Sequence, residues 1–435
     1  MNRLACKLLQ LLILSSSIGY SLYAMDQTIV SAKEMSTSFA ILSMRELPHE
    51  LKYYIISLIL KSKLGYRFSV LKKLDAKFSC RLGGFSPNGE TFLTTLADET
   101  ACLWSSKTGE FVLSFKGHLG RALCSAVVSP KGEMVITGSD DTTARVWDSK
   151  TGELITTLNN HTQSVYLIVC SPSGEIVLTV SDDTTVSVWD LKTGELLTTL
   201  KGHTDWISSA VVSPDGKTIV TASHDGTACV WCSKTGNLLR TFEEHTAEVT
   251  SAAFSSDGET VLTSSLDCTA SLWNVKTGEV IRILKRHTRG VLSAQFSPDA
   301  KTIVTISDDT TACVWDSKTG AFITSFTGHS RWINSLAFSP QGDAILTGSS
   351  DQNVCLWNST TGALLSTLQE FTPASLATVA FSPDGESVIA GSERLVCLWK
   401  VLQGFESLTA EQNTDCFKQF MVYYRILQRN DSSGN

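Results

Sequence analysis

The chain of 435 residues is 42% hydrophobic and 18% charged, a composition typical of a globular protein that buries an extensive core. Its net charge of −7, from 36 basic and 43 acidic residues, argues against nucleic acid as a partner, since that function needs a basic face.

The 12 cysteines show no evenly spaced framework of the kind that disulfide-rich proteins have. One CxxC motif, Cys229 to Cys232, falls on a predicted strand, where residues three apart point to opposite faces and are badly placed for a metal.

The N-terminal segment has the three parts of a secretory signal peptide. Arg3 and Lys7 precede an apolar run over residues 8–14, and small residues follow it. The pattern predicts a signal peptide over residues 1–24 and an exported or secreted protein, without stable membrane insertion if the signal is cleaved. Leu22, close to the end of this segment, is unfavourable for signal peptidase, so a membrane-anchored or cytoplasmic protein is the alternative.

Residues 25–65 are predicted to form a short helical segment. After Pro48, apolar residues such as Leu51 and Ile55 have helical spacing. The motif LPHEL at 47–51, followed by this apolar stretch, resembles the opening of an F-box, the module with which ubiquitin-ligase adaptors bind a Skp-type partner. The resemblance implies a Skp-type adaptor as a partner and, together with the signal, an effector that acts in a host. The alternative is a capping helix packed against the following domain.

From residue 66 onward the chain is built of a repeat about 42 residues long. Two residue types, tryptophan and histidine, mark the repeat independently. Successive markers are 42 residues apart, except for the first step of each series, which is 43. The markers are Trp104, Trp147, Trp189, Trp231, Trp273, Trp315, Trp357 and Trp399, together with His118, His161, His203, His245, His287 and His329.

One unit, residues 204–245, shows the expected structure of each repeat. Short β-rich runs predict strands at 206–212, 218–222, 227–231 and 238–242, separated by turn sequences such as SPDG and SKTG. A four-stranded antiparallel sheet of this kind cannot bury both faces alone. Stacking the sheets face to face and closing the stack into a ring removes the exposed faces, with each tryptophan between adjacent sheets.

The order of His, Ser-x-Asp and Trp-Asp in the repeat resembles the WD-repeat family. Trp147, Trp189 and Trp315 are each followed by the aspartate of the Trp-Asp dipeptide. The resemblance implies an all-β fold, a WD-repeat β-propeller of four-stranded blades over residues 66–409. A C-terminal tail at 410–435, partly disordered, is expected after it.

The number of blades and the closure of the ring are separate questions. The eight marker tryptophans predict eight blades, and seven blades plus an appended hairpin is the alternative. Two segments compete for the outer strand of the last blade. Residues 68–74 would lock the two ends of the chain together, whereas residues 405–409 would complete the blade from its own sequence.

The recurring His, Ser, Asp and Trp are predicted to be structural. The same polar residue types build a hydrolase triad, but a nucleophile site occurs once, whereas this set occurs six times in equivalent surroundings. The family resemblance implies a hydrogen-bonded network in which the carboxylate orients the imidazole and the Trp N–H ends the chain. We therefore expect no catalytic, cofactor-binding or metal-binding residues. The sets are His118, Ser139, Asp141 and Trp147; His161, Ser181, Asp183 and Trp189; His203, Ser223, Asp225 and Trp231; His245, Ser265, Asp267 and Trp273; His287, Ser307, Asp309 and Trp315; and His329, Ser349, Asp351 and Trp357.

Protein partners are predicted to bind the top face of the propeller, formed by the loops between the fourth and first strands and between the second and third. Trp206 and Trp332, at the third position after the histidine, are large aromatics of the kind that anchor interfaces, and Arg121 and Arg331 accompany them. The alternative is that each tryptophan folds back over the strand edge. The predicted function is a non-enzymatic protein-interaction scaffold; a substrate-recruiting F-box-type adaptor of a ubiquitin ligase is the alternative.

Overall fold

The computed structural model describes residues 67–75, 80–96, 98–118, 122–369, 376–392 and 395–402. The predicted signal peptide, the helical segment at 25–65 and the tail at 410–435 lie outside the described residues, and so does Arg121. The chain divides into two units, one made of residues 1–67 and 402–435 and the other of residues 68–401. The description below concerns the second unit with the strands at its two ends.

Thirty-two strands form eight sheets of four strands each within the described residues. Numbering the sheets as blades in chain order, blade 1 contains β2 (Cys80–Phe85), β3 (Thr91–Leu96), β4 (Thr100–Ser105) and β5 (Phe111–Lys116); blade 2 contains β6 (Leu123–Val128), β7 (Met134–Ser139), β8 (Ala144–Asp148) and β9 (Leu154–Leu158); blade 3 contains β10 (Val165–Cys170), β11 (Ile176–Ser181), β12 (Val186–Asp190) and β13 (Leu196–Leu200); blade 4 contains β14 (Ile207–Val212), β15 (Thr218–Ser223), β16 (Ala228–Cys232) and β17 (Leu238–Phe242); blade 5 contains β18 (Val249–Phe254), β19 (Thr260–Ser265), β20 (Thr269–Asn274) and β21 (Val280–Lys285); blade 6 contains β22 (Val291–Phe296), β23 (Thr302–Ser307), β24 (Ala312–Asp316) and β25 (Phe322–Phe326); blade 7 contains β26 (Ile333–Phe338), β27 (Ala344–Ser349), β28 (Asn353–Asn358) and β29 (Leu364–Gln369); and blade 8 contains β30 (Leu376–Phe381), β31 (Ser387–Ser392), β32 (Leu395–Leu402) and β1 (Arg67–Asp75).

Blade 4 shows how the sequence makes one sheet. Its four strands fall within one residue of the strands predicted from the sequence, and they pair in order, each antiparallel to the next. The first turn closes because the Ser213 hydroxyl donates to Asp215 Oδ1 at 2.7 Å and the Gly216 N–H donates to the Ser213 carbonyl at 2.9 Å. Gly216 has a φ of 73°, a left-handed conformation that glycine adopts without steric cost.

The ring closes through the N-terminal strand. In blade 8 the outer position belongs to β1, which is hydrogen-bonded to β32, so the chain's first described strand completes its last sheet. Phe92 of blade 1 packs in one cluster with Ile389 and Leu398 of blade 8, and Leu71 of β1 lies against it. The propeller therefore has eight blades, and the alternatives of seven blades and of a last blade completed by residues 405–409 are wrong.

The core lies between blades rather than within them. Trp273 of blade 5 stacks on Phe242 of blade 4 with ring centroids 4.6 Å apart and planes 15° from parallel. Trp357 of blade 7 stacks on Phe326 of blade 6 in the same way, at 5.3 Å and 8°. Both tryptophans are 1% exposed. The apolar faces that one sheet could not bury alone are thus covered by the next sheet.

The described residues contain strands and turns and no helix. Consistent with this, no helical span of the length and apolar character needed to cross a membrane occurs in the parts of the chain that the structure describes. The predicted N-terminal helix lies outside those parts.

Candidate functional site

Each full repeat contains a buried chain of polar groups, and blade 4 illustrates it. His203 Nδ1 lies 2.8 Å from Asp225 Oδ2, and His203 Nε2 lies 2.7 Å from Thr221 Oγ1. The indole N–H of Trp231 donates to the same Thr221 oxygen at 2.8 Å. Because indole only donates and carboxylate only accepts, a neutral His203 protonated on Nδ1 lets the threonine hydroxyl donate to Nε2. The order of the chain is Trp, Thr, His, Asp.

The threonine in this chain was not predicted from the sequence. In all six repeats that have the marker histidine, one Thr Oγ1 joins the imidazole Nε2 to the indole N–H, at distances of 2.7–3.0 Å. Its signal was present in the sequence, ten residues before each tryptophan. These residues are Thr137, Thr179, Thr221, Thr263, Thr305 and Thr347.

The repeated serine lies beside this chain and not within it. Ser223 Oγ donates to the Asp205 carbonyl at 3.1 Å and accepts the Asp225 N–H at 3.1 Å. It therefore ties the turn between the second and third strands to the loop that precedes the first strand. The serine was predicted to share one network with His, Asp and Trp; in the structure it holds the loop backbone in place, and Thr221 connects the rings.

The loops that the network supports carry the two tryptophans predicted to contact partners. Trp206 is 39% exposed and Trp332 is 53% exposed. Their carbonyls accept the N–H groups of His224 at 2.8 Å and Ser350 at 2.9 Å, so each loop is bound to the neighbouring turn of its own blade. Arg331, beside Trp332, is exposed.

Trp206 also contacts two other aromatic side chains. Its ring centroid is 5.0 Å from that of Tyr166, on the inner strand of blade 3, and 4.8 Å from that of His224 in its own blade, the latter at 79°. Trp206 thus leans over neighbouring side chains, as the fold-back alternative requires, and still leaves more than a third of its surface exposed.

In blade 2, Ala122 occupies the position equivalent to Trp206. The Asp140 N–H donates to the Ala122 carbonyl at 3.1 Å, as the His224 N–H donates to that of Trp206. The loop after His118 is one residue longer than the loop after His203, because the first repeat step is 43 residues. Arg121 itself lies outside the described residues, so its predicted partner contact stays a prediction.

The comparison with protein families agrees with this geometry. The family model described as "WD domain, G-beta repeat" (WD40) matches residues 109–148, 152–190, 194–232, 236–274, 278–316, 320–358 and 362–400. The chain belongs to the WD40 family. No curated protein matches the chain.

The seven matches and the eight blades of the WD-repeat propeller describe the same repeat with different boundaries. The first match, 109–148, begins just before β5, the outer strand of blade 1, and ends with β8, the third strand of blade 2. The strands β2 to β4 precede every match. The unmatched strands β2 to β4 pair with β5 as blade 1, and β1 completes blade 8. The strand pairing therefore gives eight blades where the family model gives seven matches.

Hydrogen bonds lower the pKa of network aspartates such as Asp225 and Asp267. Burial opposes ionisation of Asp225, but hydrogen bonds from the Thr227 hydroxyl, the Thr204 N–H and His203 outweigh it and lower the pKa of that carboxyl. The same balance lowers the pKa of Asp267 in the next blade. A carboxyl whose pKa is lower in the folded than in the unfolded chain stabilises the fold above the unfolded pKa and loses that contribution as the pH falls.

We expect the propeller to lose stability as the pH falls below about 4, the ordinary range of an unfolded aspartate. The measurement is urea unfolding at a series of pH values for the parent and for Asp225→Asn. The free-energy difference between the two is expected to be largest near neutral pH and to shrink in acid. A difference that stays constant from pH 7 to pH 3 would show that ionised Asp225 does not contribute.

The two cysteines of the CxxC motif lie in different surroundings. Cys229 is buried in β16, whereas Cys232 ends that strand and is half-buried. Burial raises the pKa of Cys229 to about 11, which disfavours the thiolate that a metal needs. In the described parts of the chain, no group of three or more His, Cys, Asp or Glu residues is arranged to hold a metal ion.

Proposed function

We propose that this WD-repeat propeller is a non-enzymatic scaffold that binds protein partners at the end of the ring where Trp206 and Trp332 lie. The observation that carries the proposal is the exposure of these two tryptophans, 39% and 53%, at the same repeat position in blades 4 and 7. Tryptophan is enriched among the residues that contribute most to protein interfaces. Loops bound to a rigid ring also present such residues with little entropy to lose on binding.

The polar residues of the repeat support a structural role and not a catalytic one. The six histidines are only 6–8% exposed, and each uses both ring nitrogens in contacts with aspartate and threonine. A general base must reach a proton of the substrate. Both nitrogens of each imidazole are engaged in contacts within the blade, so neither is placed to take a proton from a substrate.

The proposal is tested by affinity purification from native cells with the parent chain and the double variant Trp206→Ala, Trp332→Ala as baits. The matched control is Leu238→Ala, Leu364→Ala, which removes two half-exposed leucines from the outer strands of the same two blades. Partners are expected to be lost from the tryptophan variant and kept by the leucine variant. Undiminished recovery by the tryptophan variant would remove this surface as the binding site.

Export and a Skp-type partner stay predictions from residues 1–65, outside the described residues. In the same purification, a Skp-type protein recovered by the parent and lost with Leu47→Ala, Leu51→Ala would support the adaptor function. Recovery of other stable partners without a Skp-type protein would contradict it. N-terminal sequencing of the protein from the culture medium tests cleavage of the signal.

A further inference from the structure

The charges at the tryptophan end of the ring are unevenly distributed around Trp206 and Trp332. In the described loops 159–164, 182–185, 201–206, 224–227 and 243–248, which surround Trp206, seven carboxylates accompany one lysine. Five of the seven lie outside the His–Asp pairs. The carboxylates are Asp182, Asp183, Asp205, Asp225, Glu243, Glu244 and Glu248, and the lysine is Lys201.

The loops around Trp332 have the opposite balance. In the described residues 285–290, 308–311, 327–332 and 350–353, four basic residues accompany three carboxylates, and two of those carboxylates are paired with network histidines. Arg331 and Arg289 are both exposed. The two tryptophans occupy the same repeat position, but one lies in an acidic sector and the other in a basic one.

The side chains beside Trp206 hold it in place at this acidic sector. The Tyr166 hydroxyl donates to the Ile207 carbonyl, which fixes the tyrosine ring 5.0 Å from the indole. Burial and the nearby Asp182 carboxylate raise the pKa of Tyr166, so the phenol stays neutral and keeps its proton to donate. The backbone N–H of Trp206 donates to Asp205 Oδ1 at 2.7 Å, so this exposed carboxylate lies beside the Trp206 backbone.

An exposed, oriented indole among carboxylates attracts one kind of ligand group. The face of tryptophan binds cations more strongly than that of any other side chain, and surrounding carboxylates add both attraction and hydrogen-bond acceptors. Arginine suits such a place best, because its planar guanidinium stacks on aromatic rings while it donates to carboxylates. Acidic or apolar groups would meet repulsion or unpaired carboxylates there.

We propose that the surface formed by Tyr166, Trp206 and His224 with Asp182 and Asp205 binds an arginine-bearing peptide segment of a protein partner. The proposal rests on the scaffold function proposed above and names the chemistry of the partner at blades 3 to 5. The basic residues in the described loops around Trp332 disfavour such a segment there.

The test uses two fluorescein-labelled Gly-Ser peptides of equal length, one with three arginines and one with three glutamates. Fluorescence anisotropy at about 0.15 M ionic strength is measured with the full chain. We expect saturable binding of the arginine peptide, weakened about tenfold or more by Trp206→Ala and less than about twofold by the matched variant Trp332→Ala. Trp206→Phe is expected to retain part of the affinity, and Asp182→Asn with Asp205→Asn to reduce both the affinity and its salt dependence.

Three results would overturn the proposal: no saturable binding of the arginine peptide, equal or tighter binding of the glutamate peptide, or equal losses in the two tryptophan variants. Thermal melts of the variants check that each is folded. Failure here is distinguishable from failure of the scaffold function. If affinity purification with the two single variants loses partners with Trp332→Ala and keeps them with Trp206→Ala, the scaffold function stands while the arginine site does not.

Discussion

Thr221→Val is expected to lower the free energy of unfolding by about 2–4 kcal/mol, although the two side chains have nearly the same shape. The Thr221 hydroxyl is the common partner of His203 Nε2, at 2.7 Å, and of the Trp231 indole N–H, at 2.8 Å. Thr221 is 0% exposed, and valine fills the same space, so no water can enter to replace the lost hydroxyl. The substitution therefore removes the partner of two buried groups at once. Urea unfolding followed by tryptophan fluorescence measures the loss.

The matched control is Thr218→Val in the same strand, β15. Thr218 is half-buried and lies at the start of the strand, so its replacement is expected to change the free energy of unfolding by less than about 0.5 kcal/mol. In a His203→Ala background the effect of Thr221→Val should fall, since one of the two partners is already gone. If Thr221→Val and Thr218→Val unfold at the same urea concentration, the threonine does not join the two rings.

Trp273→Ala is expected to have the largest effect of any single substitution considered, about 3–5 kcal/mol. Trp273 is 1% exposed and stacks on Phe242 of the preceding blade at 4.6 Å. The substitution leaves a cavity between two blades and also takes away the indole N–H that donates to Thr263 Oγ1 at 2.8 Å. The loss is measured by urea unfolding, as for Thr221→Val.

Trp206→Ala provides the comparison, because it removes the same side chain from a position that is 39% exposed. It is expected to cost about 1 kcal/mol or less, mainly from the contacts of Trp206 with Tyr166 and His224. Equal losses in Trp206→Ala and Trp273→Ala would contradict the assignment of one tryptophan to binding and the other to the core.

The agreement between sequence and structure is closest where the determining interactions are local. In blade 4 the turn at Ser213 to Gly216 closes through contacts between neighbouring residues, and the strands on either side lie within one residue of their predicted ends. The pairing of His203 with Asp225 was also predictable, because both types recur 22 residues apart in five repeats and 23 apart in the first. Thr221 recurs just as regularly, but threonine is common in strands, so its recurrence did not distinguish it from ordinary strand residues.

The sequence by itself therefore determined the repeat and the four strands of each unit, and its eight marker tryptophans predicted eight blades, with seven as the alternative. Only the tertiary structure decided how the ring closes, because the pairing of β1 with β32 joins residues more than 300 positions apart and leaves no local signal in either segment. It also showed that Ala122 in blade 2 is equivalent to Trp206 in blade 4. The first repeat step is one residue longer than the others. Only the hydrogen bonds across the blade show which residue takes the position of Trp206.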